Sequence, residues 1–149
     1  MKATPAGWPR ISSSVFYDDP RAAIAWLCDA FGFEVKLKVE GDDGKIQHCE
    51  LSFGEGLMMI GGTAGDEPWQ KLYRSPQTAG GVTQALALFV DDVDAHYARA
   101  VRSGAKILRE PATNDYGPDY WVDRSYGALD PEGHLWWFMQ RLRSNAPAS

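Results

Sequence analysis

Few side chains in this chain are placed to do chemistry. His48 and Glu50 stand two residues apart in the strand-like run Lys45–Phe53. Residues two apart in a strand share a face, so imidazole and carboxylate point the same way. A partly buried carboxylate beside an imidazole can give and take a proton, the task of a general acid or base. The competing reading is a polar patch in which the pair only satisfies itself or meets solvent. Everything depends on register, because a slip of one residue turns both groups to the opposite face. The other histidines read differently. His134 follows a tight turn and suits a bond to that turn's backbone, and His96 lies on the flank of a helix, exposed.

Binding chemistry is better represented than reaction chemistry. Trp121 and Trp137 offer flat faces that hold planar or cationic molecules by stacking and cation–π attraction, whereas Trp26 and Trp136 read as core. Arg124 either meets an anionic ligand or pairs with a carboxylate, with Asp123 and Asp130 nearby in sequence. Ser12, Ser14 and Phe16 alternate along the first strand and share its second face. Cys28 lies in an apolar helical stripe and Cys49 on the helix-facing side of its strand, so both read as core thiols rather than nucleophiles. No serine or cysteine triad and no glycine-rich phosphate loop is apparent.

These residues need a scaffold, and the chain writes one twice. Ile11–Tyr17 is a short strand. Asp18-Asp19-Pro20 opens a helix whose Ile24, Leu27, Cys28 and Phe31 form one stripe, and Gly32 ends it. Phe33–Glu40 alternates apolar and charged residues as a half-buried strand. Lys45–Phe53 follows a turn at 41–44, and Leu57–Ile60, apolar on both faces, reads as a central strand. Residues 61–81 have no periodicity; Trp69 and Tyr73 stand isolated there, placed to fold over a site. Then Gln84–Val90 is a strand, Phe89-Val90-Asp91-Asp92 echoes Phe16-Tyr17-Asp18-Asp19, and a helix with Val93, Tyr97, Ala100 and Val101 on one face stops at Gly104. Ala105–Glu110 is a strand and 111–118 a loop. The final hairpin turns at Asp130-Pro131-Glu132-Gly133, where Pro131 fixes φ and Asp130 accepts backbone N–H groups. Strand–helix–strand–strand–strand thus occurs twice, and a repeat of this kind governs the whole fold.

The fold class is therefore α+β: two tandem βαβββ units with mixed sheets enclosing a cleft and the helices outside. The domain spans 9–141, with halves at about 9–62 and 83–141 and a linker at 63–82. On strand parity the cleft is lined by Ser12, Ser14, Phe16, Ile46, His48, Glu50, Ser52, Leu135, Trp137 and Met139.

The paired units, the Asp91-Asp92-Val93-Asp94 helix start and the Tyr126-Gly127…Asp130-Pro131-Glu132-Gly133-His134-Leu135-Trp136 hairpin resemble the vicinal-oxygen-chelate superfamily, which includes glyoxalase I, fosfomycin-resistance transferases, extradiol dioxygenases and bleomycin-resistance proteins. The resemblance implies inward metal ligands, usually His or Glu, on the first and last strand of each half. Here those positions carry Ser12 or Ser14, the run Met58–Ile60, Ala85 (or Gln84), and Trp137. None is a good donor for a hard or borderline divalent cation, so no metal and no cofactor are expected. The resemblance also implies a homodimer.

Composition limits the partners. A formal charge of −5 argues against nucleic acid. No apolar run approaches the roughly 18 residues of a membrane helix, and no signal peptide opens the chain. A cytoplasmic protein with reduced cysteines is the expectation. Its function reads as metal-free binding of an aromatic or cationic small molecule, in the manner of bleomycin-resistance proteins. The alternative is a glyoxalase-like lyase, isomerase or transferase that uses Glu50 and His48 or an atypical metal site. The polar tail Ser144–Ser149 is expected to fray.

Overall fold

In the computed structural model, which describes residues 1–144, the chain forms two units, Met1–Ala79 and Gly80 onward. All but the first residue of the tail expected to fray lies outside the described residues. The first unit runs β1 (Ser13–Tyr17), α1 (Pro20–Phe31), β2 (Glu34–Glu40), β3 (Ile46–Phe53), β4 (Gly56–Gly62), a 3₁₀ turn at Gln70–Leu72 and the short helix α2 (Pro76–Ala79). The second runs β5 (Ala85–Phe89), α3 (Val93–Arg102), β6 (Lys106–Asp115), β7 (Val122–Leu129) and β8 (Leu135–Arg143). Both sheets are four-stranded and mixed, ordered β1-β4-β3-β2 and β5-β8-β7-β6. In each, the first and last strands of the unit pair in parallel and the other pairs are antiparallel. The α+β class and the βαβββ repeat read from the sequence are what the chain adopts, and β4 lies inside its sheet as its two apolar faces require.

The helix boundaries follow their local signals. Asp19 and Asp92 cap α1 and α3, their side chains accepting from the backbone N–H of Ala22 and Ala95. α1 buries Ile24, Leu27 and Phe31 with Ala23 and Ala30, while Cys28 is only half-buried. Beneath it lie Val15, Tyr17, Cys49, Leu51 and Ile60, all sealed from solvent. The equivalent core of the second unit is Tyr126, Ala128, Trp136 and Phe138 under α3.

Four local readings are corrected. β2 is not half-buried: Val35, Leu37 and Val39 are 47%, 44% and 39% exposed. It is an edge strand, and irregularities between Val35 and Leu37 and between Val39 and Glu40 break its parity. Val35 therefore pairs with helix-facing Leu51, whereas Leu37 and Val39 pair with Glu50 and His48. Pro111 does not end β6, because an edge strand with a shift between Arg109 and Ala112 can spare one N–H. His96 is not an exposed flank residue. Its Nδ1 lies 2.7 Å from the Tyr126 hydroxyl and its ring 4.2 Å from that of Phe138. Val101, read as facing the sheet, is instead 46% exposed, so α3 is rotated toward a Val93–His96–Tyr97–Ala100 stripe.

The last hairpin is tied at its turn by one buried carboxylate. Asp130 accepts from the backbone N–H of Glu132 and His134 at 3.1 and 3.0 Å and from the Trp136 indole N–H at 3.0 Å. Removing it leaves those donors without their acceptor, so Asp130→Ala is expected to cost about 3 kcal/mol in a urea unfolding series. A loss below about 0.5 kcal/mol would show that water replaces the carboxylate.

Candidate functional site

The pleat decides which residues of the first unit are available for chemistry. With Val15, Tyr17, Cys49 and Leu51 turned to α1, the opposite face carries Ser12, Ser14, Phe16, His48, Glu50, Ser52 and Met59. The parity read from the sequence therefore holds for these residues. Over this face lies a cavity of about 610 Å³ whose lining includes Ser14, Phe16, His48, Met59, Trp69 and Tyr73.

His48 and Glu50 are brought together as their spacing suggested. His48 Nε2 lies 3.0 Å from Glu50 Oε1; the imidazole is 40% exposed and the carboxylate 8%. At that distance the ring N–H donates to the carboxylate, which leaves Nδ1 uncommitted to Glu50. His48 is thus the group that meets the cavity, and Glu50 sits beside it as the group that orients it. Leu37 and Val39 flank the pair on the neighbouring strand.

The wall that closes the cavity comes from 63–79, the stretch without periodicity. Its folding signal is Asp18, next to the helix cap. One oxygen of Asp18 accepts from Thr63 at 2.6 Å; the other accepts from Ser75, Thr78 and Gln77 at 2.7, 3.0 and 3.0 Å. Ser75 is fully buried. These bonds fasten the stretch at both ends, and between them Tyr73 stacks on Phe16 with ring centroids 3.6 Å apart. The stretch thus packs with the first unit, and Trp69 and Tyr73 do fold over a cavity. Sequence reasoning placed the inward residue of the fourth strand only within Met58–Ile60, and it missed the anchoring role of Asp18; an acidic residue beside a helix cap gives no local hint of a partner some 60 residues on.

The other candidates are placed as follows. Ser12 spends its hydroxyl on the Leu57 carbonyl at 2.7 Å. Arg124 lies on the α3 side of its sheet, where both oxygens of Asp94 accept from it at 2.8 Å; its partner is neither Asp123 nor Asp130. Trp137 lies on the face opposite α3 with the Arg109 guanidinium 4.9 Å from its ring centroid. Trp121 carries Arg141 at 4.9 Å. One aromatic face of each of these tryptophans is therefore already covered by a cation of the chain itself. Cys49 is sealed under α1, and burial pushes its thiol up to about 11.

The metal positions of the resemblance do not fit a divalent cation. In the first unit, Ser14 Oγ and Met59 Sδ face each other at 4.0 Å. In the second, the positions are Ala85 and Trp137. Hydroxyl and thioether, methyl and indole make no donor set for such an ion. Among the described residues, no three His, Cys, Asp or Glu side chains come together to hold one.

Two outcomes follow. Hydrogen bonds from Ser75 first, then Thr63 and Gln77, hold the Asp18 carboxyl far below its ordinary value near 3.8. A lowered folded-state pKa contributes stability above the ordinary value and loses it as pH falls through the folded one. The anchor is therefore complete at neutral pH and weakens only in strong acid. Asp18→Ala at neutral pH is expected to speed tryptic cleavage after Lys71 and Arg74 roughly tenfold or more, with the sheet core intact. Unchanged cleavage would mean that the stretch is held by its aromatic contacts alone. Separately, in a Cys28→Ser background, Cys49 is expected to resist a disulfide reagent at neutral pH until the protein is unfolded.

Comparison with known proteins agrees with this geometry. Residues 10–138 match the Glyoxalase/Bleomycin resistance protein/Dioxygenase superfamily. An uncharacterised protein of Mycobacterium bovis is 32% identical over 137 residues, covering 91% of this chain and 85% of that one. Among solved structures, TioX from Micromonospora sp. ML1 is 30% identical, with a TM-score of 0.69 over 91% of this chain and 100% of that one. A glyoxalase/bleomycin resistance protein/dioxygenase family enzyme from Burkholderia phytofirmans PsJN, 20% identical over 88% of this chain and 97% of its own, shares the fold at a TM-score of 0.61. With its duplicated βαβββ architecture and a family match along most of its length, this chain belongs to the Glyoxalase/Bleomycin resistance protein/Dioxygenase superfamily.

Proposed function

We propose that this protein binds a small aromatic or cationic molecule without a metal ion. The observation that carries the reading is the first-unit cavity of about 610 Å³, walled by the stacked Phe16–Tyr73 pair and by Trp69. That volume suits a compact organic ligand. Aromatic faces take planar or cationic groups, and the net charge of −5 favours a cation over an anion at long range. Ser14 and His48 supply polar contacts that orient a ligand, and Asp43, Lys45, Gln47 and Gln70 add more on the same lining. The donor set at the family's metal positions supports binding without a metal ion. Membership of the superfamily supports small-molecule binding in general terms.

A second reading is favoured by the 3.0 Å contact of His48 with Glu50. In it, the protein is a lyase, isomerase or transferase in which His48 moves a proton at the ligand and Glu50 fixes the ring and balances the charge that forms. A homodimer, implied by the family resemblance, and a cytoplasmic location complete the proposal. No described helix is long and apolar enough to cross a membrane.

The readings separate in a thermal-shift and calorimetric screen of planar aromatic and aromatic-ammonium compounds. Under the first, hits bind equally well after chelation, lose roughly tenfold or more in Tyr73→Ala, and keep their affinity in Glu50→Gln. Stoichiometric metal in the purified protein, with binding abolished by a chelator, would remove it. Chemical conversion of a hit that vanishes in Glu50→Gln and His48→Ala would establish the second. A monomeric mass in light scattering would remove the dimer.

A further inference from the structure

The open face of the second sheet carries a cation that no carboxylate neutralises. Arg109, Gly127, Trp137 and Ala87 form one row across the strands β6, β7, β8 and β5. A Cβ on Gly127 would lie 2.8 Å from the Trp137 ring, so the indole occupies the space a side chain would fill. The Arg109 guanidinium lies over that ring, and its Nη2 donates to the Ser125 hydroxyl at 2.5 Å and to the Ser125 carbonyl at 3.4 Å. Its Nη1 and Nε have no partner among the described residues, and Arg109 takes part in none of their salt bridges.

The contrast with nearby arginines is informative. Arg124 is paired with Asp94 and Arg141 with Asp123. In a chain with an excess of carboxylates, Arg109 has none, yet it is exposed and fixed by a ring and a hydroxyl. A planar guanidinium held in place loses little rotamer freedom when a free N–H on it donates to a carboxylate in a charge-assisted hydrogen bond. Around it the same face is apolar: Ala85 and Ala87 are exposed, and Leu135 and Met139 are half-buried.

We propose that Arg109, Ser125 and Trp137 form a ligand site that takes the carboxylate of a flat aromatic acid. The acid group meets the free N–H donors of Arg109, and the aromatic body rests on the apolar surface of Trp137, Ala85 and Ala87. This site lies in the second unit and goes beyond the reading of the first-unit cavity.

The test titrates the full chain at low salt with 2-naphthoate and with its neutral isostere 2-naphthamide. The acid is expected to bind roughly tenfold tighter or better. Arg109→Gln should erase that preference, and Arg109→Lys should restore only part of it, because an ammonium keeps the charge and loses the planar group that Trp137 and Ser125 hold in place. Tyr73→Ala, which opens the first-unit cavity, should leave the preference unchanged. Equal affinity for acid and amide in the native chain would overturn the proposal. So would a preference that survives Arg109→Gln, or one that disappears in Tyr73→Ala.

Discussion

The pleat of each sheet under its helix is the constraint from which the other features follow. A strand residue turned toward α1 or α3 is committed to the core, and its neighbours are thereby turned the other way. Val15, Tyr17, Cys49 and Leu51 are sealed in the first unit and Tyr126, Ala128, Trp136 and Phe138 in the second. Chemistry is left to the alternate positions. His48 and Glu50 share a face because Cys49 cannot leave the other one. Trp137 is open to an arginine because Trp136 is buried and bonded to Asp130.

The first unit adds to this frame a wall made from polar anchoring more than from apolar packing. Ser75 is buried, but Trp69 and Leu72 are 56% and 79% exposed. What fixes the stretch is a set of hydroxyl and amide donors converging on Asp18, with one aromatic stack at its centre. Hydrogen bonds to a charged acceptor are stronger than neutral ones, so few of them can hold a long segment. They also leave Trp69 exposed at the surface of the stretch while Tyr73 is stacked on Phe16.

Electrostatics divides the second unit in a similar way. Arg141 lies over both Phe89 and Trp121, at 5.2 and 4.9 Å, and is paired with Asp123, so its charge is balanced and its aromatic neighbours are covered. Arg109 has the stack without the carboxylate. The absence of a Cβ at Gly127 makes that stack possible, since a side chain there would lift the indole off the sheet.

From sequence alone the duplication, the capping aspartates, the glycine stops, the Asp130 turn and the side-chain parity of β1 and β3 could all be read, because each is set by residues within a few positions of one another. Ser14, Phe16, His48 and Glu50 were found on one face for that reason. Tertiary structure alone decided the anchoring of 63–79 on Asp18, the bulges that split Val35 from Leu37 and Val39, the rotation of α3 that sets His96 against Tyr126, and the placing of Arg109 over Trp137. The rotation of α3 rests on bonds as far apart as 30 residues and the anchor on bonds some 60 apart. Periodicity and capping act over a turn of helix or a pair of strand residues. Which distant donor meets which acceptor is settled only when the strands have paired and the loops have closed.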